Sequence, residues 1–217
     1  MKLIIGNRRY SSWSMRPWVL MRTAGIPFEE IRIALRQPDS LKKIRRYSPG
    51  GRVPVLVDGA VTVWESLAIC QYLSEKFPRK RLWPAGPSAR AAAQSLSHEM
   101  HAGFQELRKN LPTNFAVRYR QFTIPKAARP DIARVVELIG GCRKKWGKGG
   151  PFLFGKYTIA DAMFTPVVFR FLTYRVPVPP VVRDYMRAIE ELPACREWTR
   201  AAAAERERIA DYEDRGR

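Results

Sequence analysis

The chain has 217 residues, of which 46% are hydrophobic and 11% aromatic, and this composition excludes an intrinsically disordered protein. No apolar run approaches the roughly 20 residues needed to cross a bilayer, so we expect no membrane partner. The formal net charge of +19 attracts anions, but its basic residues are scattered. Because a nucleic-acid-binding arm concentrates its charge, we do not expect nucleic acid as a partner.

The first part of the chain predicts alternating strands and helices, with a hairpin at Asp58-Gly59 between two β-branched runs. The predicted elements are a strand at 2–5, a helix from Ser14 to Gly25, a strand at 28–33, a short helix at 41–47, strands at 53–57 and 60–64, and a helix at 65–77. Their order is β-α-β-α-β-β-α, which predicts an α/β unit with a mixed sheet.

The rest of the chain predicts only helices and loops. They are a helix at 88–119 interrupted near Pro112, and helices at 130–146, 158–172, 180–192 and 193–203. Three prolines and a glycine between 78 and 87 are typical of a linker. We therefore expect one domain at 1–78, a linker at 79–87 and an all-α domain at 88–217.

The three cysteines, Cys70, Cys142 and Cys195, are widely spaced and form no Cys-x-x-Cys pair. This pattern predicts neither a disulfide framework nor a metal site. It is typical of a reducing compartment, so we expect a cytoplasmic protein without a metal cofactor.

Three short motifs carry the chemistry of the first domain. They are Tyr10-Ser11-Ser12-Trp13-Ser14 before the first helix, Gly51-Arg52-Val53-Pro54-Val55 at the hairpin, and Trp64-Glu65-Ser66 at the next helix. The Val-Pro and Glu-Ser pairs are each common, but their joint occurrence in this register, behind a serine motif, is a specific signal.

In this order, and with a helical domain behind them, the motifs resemble those of the cytosolic glutathione transferase family. Ser-Ser-x-Ser followed by Arg16 is most similar to the zeta class and its bacterial relatives. The resemblance covers essentially the whole chain. It implies a thioredoxin-like N-terminal domain, an all-helical C-terminal domain that holds a small electrophilic substrate, glutathione as co-substrate, and a homodimer. Trp13 stands where zeta enzymes typically carry cysteine, which counts against zeta-type isomerase activity.

The serine motif suits activation of a thiol. Free thiols are mostly protonated at neutral pH, and only the thiolate is a good nucleophile. A helix N-terminus offers unpaired N–H groups and partial positive charge, and a serine hydroxyl there can donate to sulfur. The resemblance implies that Ser11 is the catalytic hydroxyl and that Ser12 is the second candidate for this role. It also places Trp13 beside the bound tripeptide. The alternative is that these serines only cap the helix, which is the role we expect for Ser14.

The resemblance also implies the remaining contacts to glutathione, through the other two motifs. Pro54 is expected to be cis, so that the backbone of Val53 pairs with the cysteinyl part of the tripeptide; the alternative is an ordinary trans proline. Arg52 either reaches the glycyl carboxylate or is solvated. Ser66 is expected to hold the γ-glutamyl carboxylate and Glu65 the neighbouring ammonium, whereas capping by Ser66 alone is the alternative.

Two functions remain open from the sequence. The first is an enzyme that conjugates glutathione to an electrophile or reduces a peroxide with it. The second is a non-catalytic docking module associated with RNA or a translation complex. The complete set of three motifs favours the enzyme, because a docking module has no chemical need for it. Elsewhere, Thr158 and Asp161 predict a capping box that serves folding.

Overall fold

A computed structural model describes residues 1–213 of the chain. Its first part contains a four-stranded sheet with helices on both faces. The elements are β1 (Lys2–Ile5), α1 (Ser12–Thr23), β2 (Glu29–Arg32), α2 (Ser40–Arg45), β3 (Val55–Asp58), β4 (Val61–Trp64) and α3 (Ser66–Lys76). The strand order is β2-β1-β3-β4, with β1 parallel to β2 and the other two pairs antiparallel. The predicted thioredoxin-like unit is confirmed.

The second part is helical, as predicted. It contains α4 (Pro87–Ala102), α5 (Gln105–Asn110), α6 (Arg129–Trp146), α7 (Ile159–Thr173), α8 (Pro180–Glu191) and α9 (Pro193–Ala204). Three short 3₁₀ turns lie at Pro78–Lys80, Lys126–Ala128 and Ala210–Tyr212. Among the described residues, no helix is both long and apolar enough to cross a membrane.

The predicted helix at 88–119 is interrupted near Pro112, as expected, because α5 ends at Asn110; it does not resume, and the chain between Asn110 and Lys126 contains no helix. A further break, at Gly103 and Phe104, was not predicted. Phe104 has a φ of 64°, in the left-handed region, and a helix cannot continue through such a residue. Its ring is buried in the core, and this burial offsets the cost of the backbone conformation.

The start of α1 also differs from the prediction. The helix begins at Ser12, two residues before the expected start, and Ser11 is its N-cap. The Ser11 hydroxyl accepts a hydrogen bond from the backbone N–H of Ser14 at 3.3 Å. Capping therefore belongs to Ser11, and Ser14 lies in the first turn.

One hydrophobic core runs through both parts of the chain. It includes Leu3 of the sheet, Trp18 of α1, Phe164 of α7 and Trp198 of α9. A smaller cluster of Ile4, Ile33, Ile44 and Val55 lies on the opposite face of the sheet, under α2. Because α1 packs against both α7 and α9, its N-terminus lies at the seam between the sheet and the helical part.

Candidate active site

The serine motif forms a hydrogen-bond chain at the start of α1. The backbone N–H of Gly6 donates to Ser14 Oγ at 3.2 Å, and the Ser11 and Ser14 hydroxyl oxygens lie 2.7 Å apart. Within residues 1–213, nothing accepts a hydrogen bond from the Ser12 hydroxyl or from the backbone N–H of Trp13. The helix start therefore offers two unused donors next to the Ser11 hydroxyl, which donates to Ser14 Oγ.

Two cavities meet at Trp13. The first, which we call the serine pocket, has a volume of about 490 Å³. It is lined by Ser11, Ser12, Trp13 and eleven other residues. The second, the proline pocket, has about 660 Å³, and Pro54 and Glu65 are in its wall. Trp13, Arg52 and Val53 line both cavities. The structure thus brings every predicted site residue except the buried Ser66 to one connected cleft.

The loop before β3 has the predicted backbone conformation. The Val53–Pro54 peptide bond is cis. In the described part of the chain, the backbone N–H and C=O of Val53 have no hydrogen-bond partner. The exposed side chain of Arg52 lies at the mouth of both pockets.

The start of α3 combines an exposed acid with a buried hydroxyl. Glu65 precedes the helix with a φ of 67°, and its carboxylate lies 3.6 Å from His101 Nε2. Ser66 is the first residue of α3 and is 0% exposed. Its hydroxyl makes no capping hydrogen bond within the helix but accepts one from Arg16 at 3.3 Å. The first backbone N–H groups of α3 therefore remain available to an anion.

Trp13 is held in a cationic cluster that sequence reasoning missed. The guanidinium carbon of Arg16 lies 4.2 Å from the centroid of the indole, and that of Arg108 lies 4.9 Å from it. His101 meets the same ring edge-on at 5.2 Å. Burial lowers the pKa of Arg108 and also that of His101, so the imidazole is neutral at pH 7. Arg16 was visible in the motif, but nothing in the sequence pairs Trp13 with α5.

The serine pocket is strongly basic. Arg36, Arg52, Arg108 and Arg170 line it, and none of its described lining residues is acidic. Arg170 is only 6% exposed, and burial lowers its pKa to about 9, which still leaves it charged at pH 7. Arg108 and Arg170 lie on α5 and α7, far from the motifs in the sequence, and only the fold shows that they converge.

The segment after α9 closes one side of the serine pocket. Ile209 and Tyr212 are in the pocket wall, and the Tyr212 ring lies 5.5 Å from that of Tyr10. Glu213 accepts hydrogen bonds from Arg9 Nε at 3.2 Å and from the Tyr10 hydroxyl. Burial, followed by this hydrogen bond, raises the pKa of Tyr10 to about 12. The sequence gives no signal for this contact.

Comparison with known proteins identifies the family. A family model for the N-terminal domain of glutathione S-transferases matches residues 10–76, and one for the C-terminal domain matches residues 99–201. The chain belongs to the glutathione S-transferase family. This membership confirms the sequence-based prediction of a glutathione transferase of zeta-like type, and the zeta-class relatives give no evidence for a non-catalytic docking module.

Individual relatives of this transferase agree in length and fold. Glutathione S-transferase Z2 of Arabidopsis thaliana is 27% identical over 194 residues, which span 85% of this chain and 84% of the relative. A glutathione transferase homolog from Burkholderia, solved with bound glutathione, superposes with a TM-score of 0.70 at 24% identity over 93% of this chain and 97% of the other. A bacterial zeta-class maleyl pyruvate isomerase gives a TM-score of 0.72 at 23% identity over 96% and 100%.

Proposed function

We propose that this transferase ionises the thiol of glutathione at the N-terminus of α1 and presents the thiolate to an anionic electrophile in the serine pocket. The observation that carries this proposal is the convergence of the Ser11 hydroxyl, two unused donors and four arginines on one cavity. The glutathione bound in the Burkholderia homolog supports the choice of thiol.

The tripeptide is proposed to lie along the three motifs. Its cysteinyl backbone pairs with the free N–H and C=O groups of Val53. Its γ-glutamyl carboxylate meets Ser66 at the start of α3, and the neighbouring ammonium meets the exposed Glu65. Arg52, at the mouth of both pockets, reaches the glycyl carboxylate. The sulfur then lies at Ser11, Ser12 and Trp13.

Ser11 is the proposed thiolate donor. In the structure the Ser11 hydroxyl donates to Ser14 Oγ at 2.7 Å, while Ser11 Oγ accepts from the backbone N–H of Ser14. Rotation of the Ser11 hydroxyl turns its proton toward the bound sulfur and leaves the cap intact. A donor and a helix N-terminus both favour the charged form of a thiol, so the pKa of the bound thiol falls below its free value of about 8.5. The thiol proton passes to solvent. The carbon–sulfur bond forms as the thiolate attacks an electrophilic carbon, from which either a leaving group departs with its bonding pair or a double-bond electron pair moves to the neighbouring atom.

The charge of the serine pocket indicates the kind of electrophile. Arginines without an opposing carboxylate favour a substrate that carries carboxylate groups, because the guanidinium fork binds carboxylates with paired hydrogen bonds. Trp13 offers no thiol in the position of the zeta-class cysteine. Conjugation is therefore the proposed main reaction, and the same thiolate supports reduction of a hydroperoxide.

Two further parts of the proposal concern the state of the protein. We propose a homodimer, because Val61 and Trp64 on the edge strand β4 are 45% and 46% exposed and suit burial at a contact. We also propose a cytoplasmic location, which the three free, buried cysteines support.

The test compares Ser11→Gly, Ser11→Ala and Ser12→Ala in a glutathione conjugation assay and in a hydroperoxide assay. Glycine caps a helix almost as well as serine, so Ser11→Gly removes the hydroxyl with little loss of stability. Loss of one hydrogen bond to a charged sulfur lowers kcat/KM about 10- to 100-fold in both Ser11 variants. Ser12→Ala is expected to stay within a few-fold of the unmodified protein.

The control is the melting temperature of each variant, which separates loss of the cap from loss of chemistry. Unchanged turnover in both Ser11 variants would show that another group ionises the thiol. A large loss in Ser12→Ala alone would move the donor to Ser12.

A further inference from the structure

We propose that Arg16 is a positioning residue for glutathione: a buried cation whose charge is balanced only when the γ-glutamyl carboxylate binds at the start of α3. This inference rests on the proposed placement of the tripeptide. It adds a role for a side chain that lines neither pocket and does not touch the reacting sulfur.

Arg16 is enclosed by the protein and poorly neutralised. Its side chain is 1% exposed, and its Nη1 and Nη2 donate to Ser66 Oγ at 3.3 Å and to the carbonyl of Met100 at 3.4 Å. Its Nε has no hydrogen-bond partner. Among residues 1–213, no aspartate or glutamate oxygen lies within 4.0 Å of the guanidinium.

The charges around Arg16 add to the free-energy cost of burying its guanidinium. Burial, and then the positive charge of Arg108, lower the pKa of Arg16, and Arg170 acts in the same direction. Cys70 and Glu65 act in the opposite direction and favour the charged form, although the Cys70 thiol is itself kept protonated by burial. The face of Trp13 offers some compensation at 4.2 Å. A buried charge without a carboxylate destabilises a folded protein, so the free protein carries a cost here.

The position of Arg16 indicates which anion balances it. Its bond to Ser66 reaches the first residue of α3, where open N–H groups already favour a carboxylate. Because Nη1 donates to Ser66 Oγ, the serine hydroxyl keeps its own proton for an outside acceptor. A carboxylate that accepts from Ser66 therefore comes close to the one guanidinium that lacks a counter-charge. The same ligand group completes the hydrogen bonds of Ser66 and neutralises Arg16.

A purely structural role for Arg16 makes the opposite prediction. In that case its two hydrogen bonds tie α1 to α3 and α4, and losing them lowers stability with and without ligand. If the charge of Arg16 serves ligand binding, a neutral residue of similar length does not destabilise the ligand-free protein. It weakens only the binding of glutathione.

The experiment uses two tripeptides. One is glutathione, and the other is its analogue with γ-aminobutyrate in place of glutamate, which lacks only the α-carboxylate. The proteins are the unmodified chain, Arg16→Met, Arg16→Lys, Ser66→Ala and the double variant of Arg16→Met with Ser66→Ala. The measurements are dissociation constants by calorimetry, melting temperatures with and without ligand, and KM and kcat for glutathione.

Arg16→Met is expected to melt no lower than the unmodified protein without ligand, yet to bind glutathione about tenfold or more weakly. It binds the analogue as the unmodified protein does, so it no longer discriminates between the tripeptides. KM for glutathione rises while kcat at saturation is kept. Arg16→Lys restores part of the preference for glutathione over the analogue. Arg16→Met lowers the affinity for glutathione less in the Ser66→Ala variant than in the unmodified protein.

Equal weakening toward both tripeptides, together with a lower melting temperature without ligand, would overturn the inference in favour of a structural role. Unchanged discrimination in Arg16→Met would overturn it as well. If Arg16→Met does not fold, Arg16→Gln is used instead, because it removes the charge but can still donate to Ser66. Its affinities for glutathione and for the analogue are then compared in the same way. If the unmodified protein binds neither tripeptide, the proposed function fails and not only this step.

Discussion

Asp161 is a carboxylate fully buried in the helical part of the protein. Its Oδ1 accepts from the backbone N–H of Leu153 at 2.9 Å, and its Oδ2 accepts from the backbone and hydroxyl of Thr158 at 2.8 and 3.0 Å. The predicted capping box at the start of α7 is therefore present. Burial raises the pKa of Asp161 to about 6, against these hydrogen bonds, which lower it.

This pKa predicts how stability depends on pH. Because the pKa is higher in the folded than in the unfolded protein, protonation of Asp161 stabilises the fold. That contribution is complete below about pH 4 and is lost as the pH rises through about 6. The free energy of unfolding of the unmodified protein, relative to Asp161→Asn, should fall by about 2 to 3 kcal/mol across this window. Urea titrations of both proteins at several pH values measure this difference. If the unmodified protein instead became more stable relative to Asp161→Asn as the pH rises, the raised pKa would be contradicted.

Single residues differ in how far the sequence reveals them. The cap at α7 was predictable from a local motif, and the cis bond before Pro54 was predictable only through the resemblance to the family. The role of Ser11 as the cap of α1 was misassigned to Ser14, since three serines within four residues leave the start of a helix open. Arg108 and Arg170 were not predictable, because their function depends on which other segments they face.

At the scale of elements, the segment after α9 closes the serine pocket and is fixed by carboxylates. Glu205 accepts from the backbone N–H groups of Arg8 and Arg9 at 2.8 and 3.0 Å. Glu213 accepts from Arg9, Tyr10 and Asn114. Since Arg8, Arg9 and Tyr10 immediately precede Ser11, the end of the described chain is bound to the loop that leads into the proposed thiolate donor.

We expect Glu213→Gln to loosen this wall without harming the glutathione site. The substitution removes a charged acceptor of three hydrogen bonds, so KM for the electrophile should rise several-fold while the affinity for glutathione stays the same. Steady-state kinetics with each substrate varied in turn measures both effects. Asp211→Asn is the matched control: it makes the same charge change on an exposed side chain two residues away. Equal effects in the two variants would contradict a specific role of Glu213.

The boundaries of the elements show where local signals fail. Hairpin and strand positions were predicted closely, because an Asp-Gly turn and alternating residues leave few alternatives. The interruption near Pro112 was predicted from the proline, and α5 ends there, but the earlier break after α4 was missed. This earlier break goes with the burial of Phe104 against the core, which no local pattern expresses.

At the scale of the whole molecule, the site exists because two differently built parts share one core. The sheet part supplies Ser11, Val53 and Ser66, which are the proposed contacts to glutathione. The helical part supplies Arg108 and Arg170, which face the same cavity as Ser11. The order of elements was predictable from the sequence, whereas the role of the three motifs in binding a thiol stays a prediction. The basic residues of the cavity were not predictable, because they are far apart in the sequence and meet only after folding.

The most direct test of the central claim is a crystal structure of the protein with bound glutathione. The sulfur is predicted to lie within hydrogen-bond distance of Ser11 Oγ, with the cysteinyl backbone paired to Val53 and the γ-glutamyl carboxylate at Ser66. A tripeptide bound with its sulfur away from the start of α1, or a Trp13 ring occupying that position, would contradict the account.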